Sequence, residues 1–388
     1  MPVRFPLRWT LPAAALALGL LFARWRTGMF DWTFVDLAVY RDAGSIVLHG
    51  GSVYSTATGA LPFTYPPFAA VLFAPLAALD LSLAAVLMST LSALALVVVV
   101  TVSGRAVGVP PGWLGPASVA ALALEPVWLS LQYGQINLLL TAMILLDCFV
   151  VPPRYRGVLT GVAAGIKLTP GIFLGWFLLR RDWRAAVLTG AGGLATLLAG
   201  ALVDPGGSWR FWTKLWHDPG RVGGLAYADN QSLYGILARL QRSLHPAELL
   251  VLSIDVVTLL LAGYAARRQL KVGQRLAGLT VIGFAGLLVS PVSWSHHWTW
   301  VVPALFVLWQ QRRWAGLLVV AVASYSAVQF LPPNSFGVEL QATWWQQVCY
   351  ANLPIAGGLF LLLMLTVPPR HAAGDPAATG QAAVQTQA

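Results

Sequence analysis

The chain has 388 residues, of which 57% are hydrophobic and only 10% are charged, and its mean hydropathy is +0.70. Soluble globular proteins carry about 25% charged residues, so this composition excludes a soluble enzyme and indicates a polytopic membrane protein. The net charge of +10 comes from short basic clusters between apolar runs, which is typical of cytoplasmic loops and not of a nucleic-acid surface. The two cysteines, Cys148 and Cys349, match no metal-binding spacing, and a disulfide between them is not favoured.

The amino terminus predicts an uncleaved first span over 9–23. Arg24 and Arg26 follow the apolar core, where a signal peptide would have a cleavage site between small residues. The basic residues before the span favour a cytoplasmic amino terminus. The first long polar interval, 24–65, is therefore predicted to lie outside the cytoplasm.

Further apolar runs follow this interval and predict a series of helices. They lie at 66–79, 81–102, 114–131, 135–151, 157–179, 185–203, 248–266, 276–289, 298–310, 315–330 and 355–367. Together with the first span they give about 12, several of them shorter than the usual membrane crossing of about 20 residues. Most basic clusters then fall on the cytoplasmic side, but Arg105, Arg154 and Arg156 do not. The number of crossings between 66 and 179 therefore stays open.

The chain is predicted to form one all-α transmembrane domain over 1–367, followed by a disordered cytoplasmic tail at 368–388. Two more polar intervals, 204–231 and 331–354, are predicted to be extracytoplasmic. The tryptophans of both intervals, together with the basic residues of 204–231, are typical of segments that lie in the headgroup layer.

Lys167 lies inside an apolar run, three residues before Pro170, and is a candidate for phosphate binding. A charge at the membrane centre costs at least ~2.5–3.5 kcal/mol on insertion scales, so such a residue usually has a function. An ammonium group that faces a cavity binds anions well. The alternative is that Lys167 extends to the interface or pairs with a carboxylate such as Asp147 or Asp255.

Other polar side chains stand at the ends of the predicted spans. His296 and His297 are adjacent, and no Glu or third His completes a zinc site, so a hydrogen bond to a phosphate or sugar is favoured over metal binding. Gln135, Asn137 and Asn230 lie in amide-rich turns. Helix capping and turn formation explain these amides better than recognition of sugar hydroxyls does.

The interval 24–65 holds three of the fourteen acidic residues, Asp31, Asp36 and Asp42. Asp36 precedes a stretch, 40–48, that can form a short helix. From spacing alone, capping of that helix explains Asp36 better than catalysis does. A carboxylate cluster beside a membrane edge also suits a catalytic base on an extracytoplasmic loop.

Six motifs occur in an order that resembles glycosyltransferase family 87, the polyprenol-phosphate-mannose-dependent α-mannosyltransferases of actinobacteria. They are DLAVY (36–40), GGSVY (50–54), TYPPF (64–68), GQIN (134–137), AAGIKLTP (163–170) and SPVSWSHH (290–297). No single motif is decisive, but the order is specific, and the resemblance covers roughly 31–300.

The resemblance implies a GT-C fold, with the active site at the extracytoplasmic membrane face and the catalytic aspartate in the first outer loop. By motif the catalytic aspartate corresponds to Asp36, while Lys167 and the two histidines fall in family motifs without a role being carried over. From their own chemistry, Lys167, His296 and His297 are predicted to bind the donor phosphate, and Tyr40, Tyr65, Gln135, Asn137 and Asn230 to bind substrate. A phosphate leaving group needs no general acid, so one carboxylate suffices for inverting transfer, whereas a glycosidase usually needs two. No AspXxxAsp motif for a nucleotide-sugar metal is present, so metal-independent transfer without a cofactor is expected.

The predicted function is transfer of mannose from polyprenyl-phosphate mannose to a phosphatidylinositol mannoside or lipomannan-type glycolipid in a bacterial plasma membrane. Both termini would be cytoplasmic, and the oligomeric state stays open, a monomer included. One alternative is an arabinofuranosyltransferase that uses polyprenyl-phosphate arabinose. Another is a flippase or transporter for a lipid-linked sugar, although the helix break at Lys167 has no counterpart in the second half.

Overall fold

The computed structural model describes residues 33–54, 61–325, 328–335 and 337–366. These ranges consist of helices joined by turns and loops, with one isolated antiparallel bridge between Asn230 and Trp294. The all-α prediction is confirmed. The predicted first span at 9–23 and the tail at 368–388 lie outside the described residues. The helices are α1 Val35–Leu48, α2 Pro67–Ala77, α3 Leu81–Ala106, α4 Leu114–Ala121, α5 Glu125–Gln132, α6 Asn137–Phe149, α7 Val158–Ile166, α8 Phe173–Leu179, α9 Trp183–Val203, α10 Pro205–Arg210, α11 Leu233–Leu240, α12 Glu248–Lys271, α13 Arg275–Val289, α14 Val301–Gln310, α15 Trp314–Tyr325, α16 Trp344–Tyr350 and α17 Asn352–Thr366.

The part of the chain that the structure describes contains three helices long and apolar enough to cross a membrane, namely α3, α9 and α12. Two sharply bent pairs, α4 with α5 and α16 with α17, raise this number to five if each pair counts as one span. The other apolar helices have 10–17 residues. Helices therefore occur where the apolar runs predict them, but the count of about 12 spans is not confirmed, since most are shorter than a crossing of about 20 residues.

Two of the predicted spans are broken in the structure. The run at 114–131 bends by 66° between α4 and α5, just before Pro126. The run at 157–179 ends its first helix at Ile166, because Lys167 is extended (φ −144°, ψ 136°), and a short 3-10 turn containing Pro170 follows. Proline has no N–H to donate, and its ring clashes with the carbonyl of the fourth residue before it, here Leu122 or Ile166, which explains why the helices stop near these residues.

Close helix packing places the first described helix beside the second. Gly44 of α1 lies against α2, where an added Cβ would be 2.7 Å from the carbonyl oxygen of Phe73. The ring of Tyr40 stacks on that of Phe73 with centroids 4.1 Å apart. This packing fixes the face of α1 that carries Tyr40 against α2.

The polar interval 204–231 holds the first loop in place. Arg210 donates to the carbonyl of Tyr54 at 2.8 Å, and Arg221 donates to the carbonyl of Phe63 at 2.8 Å. These bonds fix the chain on both sides of residues 55–60. Trp209 in the same interval is 75% exposed, as expected for a side chain in the headgroup layer. Cys148 and Cys349 are both free, in agreement with the prediction.

Candidate functional site

The turn between α5 and α6 anchors the start of α1. The backbone amides of Phe34 and Leu37 each donate, at 3.1 Å, to the carbonyls of residues 132–133. Gly134 makes the turn possible, because its φ is +67° and an added Cβ would lie 2.7 Å from the Cβ of Leu37. The carboxyl end of one helix thus fixes the amino end of another and brings Asp36 to the amide-rich turn.

Four of the predicted site residues form one hydrogen-bonded group. The Oε1 atom of Gln135 accepts from the hydroxyl of Tyr40 at 2.8 Å and from that of Tyr65 at 3.2 Å, and the two hydroxyls lie 2.8 Å apart. The Gln135 side chain also bonds Asp36, so its amide nitrogen is the donor to the carboxylate. The tyrosines therefore orient Gln135, and Gln135 orients Asp36.

Asp36 lies inside the first turn of α1 and not at its cap. Phe34 occupies the cap position and α1 begins at Val35, so both the capping explanation and the later helix start at residue 40 are wrong. The amino end of the helix favours a negative charge there. Burial raises the pKa of Asp36 above its ordinary value, while the hydrogen bond from Gln135 and the positive charge of Lys167 oppose this rise. A partly exposed carboxylate with a raised pKa has the properties of a general base.

Lys167 contacts two other predicted site residues. Its Nζ atom donates to Oδ1 of Asn137 at 2.9 Å, lies 2.8 Å from Nε2 of His297, and stands 5.3 Å from the ring centroid of Tyr65. Among the described residues it forms no ion pair with Asp147, which instead accepts from backbone and side-chain groups at the start of α7. The prediction that Lys167 pairs with this carboxylate is therefore wrong.

Lys167 and His297 share a hydrogen bond whose donor and acceptor depend on the imidazole tautomer. When Lys167 is an ammonium group it can only donate, and Nε2 of His297 then accepts. With Asn137 and His297 each taking one proton of the ammonium group, its third N–H remains for a ligand. Lys167 is also close enough to Asp36 for its charge to act on that carboxyl group.

The two adjacent histidines, His296 and His297, make different contacts in the structure. The backbone carbonyl of His296 accepts from Ser130 Oγ at 3.1 Å and from Asn137 Nδ2 at 3.0 Å. Its buried ring packs edge-on against Tyr133, and neither ring nitrogen has a hydrogen-bond partner among the described residues. His296 thus fixes the backbone from which His297 reaches Lys167, while a contact of its own ring with substrate stays a prediction.

Asn230 is buried in a separate set of contacts. Its Nδ2 atom donates to the carbonyls of Leu225 at 2.8 Å and Pro291 at 3.1 Å, and its Oδ1 atom accepts from the amide of Ser293 at 3.0 Å. These bonds join the loop after α10 to the segment that carries the histidines. In the structure Asn230 organises the backbone, and its predicted contact with substrate stays a prediction.

Sequence reasoning missed Asp229, a buried acidic residue beside the segment that carries His296 and His297. Asp229 Oδ1 accepts from the amide of Ser295 at 3.3 Å and from Gln329 Nε2 at 3.5 Å, and Gln329 also donates to Glu125. Burial raises the pKa of Asp229 to about 6; its bonds with Ser295 and Gln329 lower it, and the negative charge of Asp36 raises it further. These partners are 66 and 100 residues away in the chain, so local spacing gave no signal.

Replacement of Asp229 tests how its bond to Ser295 supports the site. We expect Asp229→Ala to raise the KM for the lipid-linked donor at least fivefold, because a lost buried hydrogen bond costs about 1–3 kcal/mol and releases the segment leading to His297. Asp229→Asn keeps an acceptor oxygen and should stay within about twofold of the wild type. Equal KM values for Asp229→Ala and the wild type would show that the segment does not need this bond.

A narrow cavity of about 40 Å³ opens beside Lys167 and His297. Asn137 joins these two residues at its polar end. The rest of the lining is mainly apolar and comes from α6, the 3-10 turn before α8, α13 and the start of α14, with Leu140, Ile144, Ile172, Phe173, Leu287 and Trp300. Lys167 is the cationic residue in a lining that is otherwise mostly apolar, which suits a small anionic group.

Comparisons with known proteins agree with this chemistry. Residues 63–291 match the family model described as Glycosyltransferase family 87. The chain is 34% identical over 375 residues to the polyprenol-phosphate-mannose-dependent alpha-(1-2)-phosphatidylinositol mannoside mannosyltransferase of Mycobacterium tuberculosis, covering 88% of this chain and 86% of the relative. It is 33% identical to the protein of the same name from Mycolicibacterium smegmatis, covering 91% and 87%.

A third relative is the polyprenol-phosphate-mannose-dependent alpha-(1-2)-phosphatidylinositol pentamannoside mannosyltransferase of Mycobacterium tuberculosis, 38% identical over 71% of this chain and 66% of the relative. No solved structure matches the chain. The family match contains Tyr65, Gln135, Asn137 and Lys167, and the two longer alignments cover most of the chain. By this match and these identities, the chain belongs to glycosyltransferase family 87.

Proposed function

We propose that this protein transfers mannose from polyprenyl-phosphate mannose to a hydroxyl of a phosphatidylinositol mannoside, with inversion at the anomeric carbon and with Asp36 as the general base. The printed names of the relatives support the donor, the acceptor and an alpha-(1-2) linkage. The observation that carries the proposal is the placement of Asp36, oriented by Gln135, within the electrostatic field of Lys167.

The proposed step is a single displacement. The acceptor oxygen forms a bond to the anomeric carbon while the bond from that carbon to the phosphate oxygen breaks. The acceptor proton passes to the carboxylate of Asp36, and the electron pair leaves with the polyprenyl phosphate. Lys167 and His297 stabilise the negative charge that develops on the departing phosphate, the role of preorganised donors in many transferase sites.

The position of the donor lipid follows from the polarity of the cavity beside Lys167. Asn137, Lys167 and His297 would contact the phosphate, and the cavity of about 40 Å³ is too small to enclose the isoprene units, which would stay outside it. The sugar would then lie on the side of the phosphate that faces Asp36. Tyr40 and Tyr65 are too deeply buried to meet a sugar without rearrangement, so their proposed role is to hold Gln135.

The proposal includes the GT-C fold, cytoplasmic termini and an active site at the extracytoplasmic face. The distribution of basic residues supports this orientation. The clusters around Arg180, Arg267 and Arg312 lie at the carboxyl ends of α8, α12 and α14, whereas Asp36 and the tryptophan-rich interval 204–231 belong to the predicted outer loops.

The direct test is transfer by the purified protein in proteoliposomes that contain a phosphatidylinositol mannoside acceptor. We expect a product heavier by one hexose when polyprenyl-phosphate mannose is supplied, no product with polyprenyl-phosphate arabinose, and an unchanged rate in the presence of EDTA. A pentose-bearing product would favour the arabinofuranosyltransferase. Movement of the lipid-linked sugar across the membrane without any new glycolipid would favour the flippase.

A further inference from the structure

A second cavity, which we call the basic-ended groove, lies on the opposite side of Ile172 from the candidate site. It has a volume of about 430 Å³ and lies between α8, α12 and α13. Most of its lining is apolar, and two arginines belong to it. The lining residues are Ile172, Gly175, Leu178, Leu179, Arg181, Leu259, Ala262, Gly263, Arg267, Ile282 and Ala285.

The two arginines of the basic-ended groove both lie toward the carboxyl ends of the helices that line it. Arg181 follows the carboxyl end of α8, and Arg267 lies near the carboxyl end of α12. Both are exposed. Within the ranges that the structure describes, neither guanidinium group has a hydrogen bond or an ion pair, and the neighbouring carboxylate of Asp182 is paired with Arg156 at 3.3 Å. Two arginines without such a partner among the described residues therefore line the same apolar groove.

The floor of the groove has room for a hydrocarbon chain. An added Cβ at Gly175 or Gly263 would meet no atom within 4 Å, so both glycines border open space. From Leu259 to Arg267, α12 advances about 12 Å along the groove. The adjoining face of α12 exposes Leu260 and other large apolar side chains, which lets the groove open toward the bilayer.

We propose that the basic-ended groove binds an anionic phospholipid, with its phosphate between Arg181 and Arg267 and an acyl chain along the glycine floor. Paired arginines at the end of an apolar groove between helices complement a negatively charged headgroup and its chains. Under the orientation given above, this lipid comes from the cytoplasmic leaflet. The groove lies apart from Asp36 and Lys167, so this proposal does not depend on the proposed transferase activity.

The backbone offers a variant that removes one charge without strain. Arg181 has φ +56°, a left-handed conformation that glycine adopts more readily than arginine, so Arg181→Gly should not disturb the end of α8. Arg267→Gln keeps a good helix former on α12. A matched control is the double variant Arg312→Gly, Lys271→Gln. Arg312 has the same conformation, with φ +55°, and Lys271 lies one turn beyond Arg267, but neither lines the groove.

Binding is measured by titrating the purified protein, in detergent micelles, with phosphatidylglycerol and with phosphatidylcholine and counting bound lipids by native mass spectrometry. We expect the wild type and the control to bind phosphatidylglycerol in preference to phosphatidylcholine, and the Arg181→Gly, Arg267→Gln variant to bind it roughly 30-fold more weakly. Equal affinities for the two double variants, or no preference for phosphatidylglycerol in the wild type, would overturn the proposal.

A photoreactive amino acid at position 263 identifies the occupant in native membranes. An adduct with a phospholipid that is lost in the Arg181→Gly, Arg267→Gln background supports the proposal. An adduct with a peptide from residues 1–32 would show that the chain's own amino-terminal segment fills the groove. An adduct with a polyprenyl lipid would assign the groove to the donor. Either of these last two results would overturn the proposal.

Discussion

Asp36→Asn is expected to lower kcat for mannosyl transfer by about 10²–10⁴-fold, the usual contribution of a positioned general base. The amide still fits beside Gln135, so the fold and the binding of donor should change little, but it cannot accept the proton of the acceptor hydroxyl. Single-turnover transfer from labelled polyprenyl-phosphate mannose, with donor binding measured in parallel, separates these effects.

Asp42→Asn is the matched control for this prediction, because Asp42 lies on the same helix and is also partly exposed. It should keep the wild-type rate. An Asp36→Asn variant that transfers as fast as Asp42→Asn would remove Asp36 as the base.

The raised pKa of Asp36 gives the wild-type enzyme a characteristic pH dependence. The base must be deprotonated, so kcat/KM should fall as the pH is lowered through its pKa. Because burial raises that pKa, the fall should be centred above the ordinary aspartate range near pH 4. In Asp42→Asn, kcat/KM should fall at the same pH as in the wild type. The residual activity of Asp36→Asn should show no such fall at low pH.

Lys167→Gln is expected to lower kcat/KM by about 10²–10³-fold, with both a higher KM for the donor and a lower kcat. The glutamine can still bond Asn137 and His297, but it carries no charge to stabilise the phosphate as it departs. Kinetics with varied donor concentration and saturating acceptor measure both constants.

Two other substitutions control for the loss of charge at Lys167. Lys214→Gln removes an exposed lysine away from the cavity and should have no effect. Lys167→Arg keeps the charge and should retain more activity than Lys167→Gln. If Lys167→Gln were as active as Lys214→Gln, the donor phosphate would have to bind elsewhere.

Hydropathy predicted the helices well because apolar runs and their interruptions are local properties of the chain. The break at Lys167 was visible from a charge followed closely by proline. Apolar composition alone, however, does not determine how many of these helices cross the membrane. The run at 114–131 was counted as one span, yet it bends by 66° before Pro126, and several apolar helices are too short to cross alone.

The site was only partly predictable. Spacing alone favoured Asp36 as a cap, whereas the acidic cluster and the resemblance indicated a catalytic base. The contact of Lys167 with His297 joins residues 130 positions apart, so their approach depends on packing and not on any local pattern. Asp229 was missed because its partners, Ser295 and Gln329, are also distant in the chain and approach it only through packing.

The central claim is that Asp36 removes a proton from the acceptor, and an acceptor that needs no base tests it most directly. Such an acceptor is a phosphatidylinositol mannoside analogue in which a thiol replaces the attacking hydroxyl. A thiol has a pKa near 8.5 and is half ionised at that pH. We predict that Asp36→Asn transfers mannose to this thiol at nearly the wild-type rate while it fails with the natural acceptor. An equal loss with both acceptors would contradict the account.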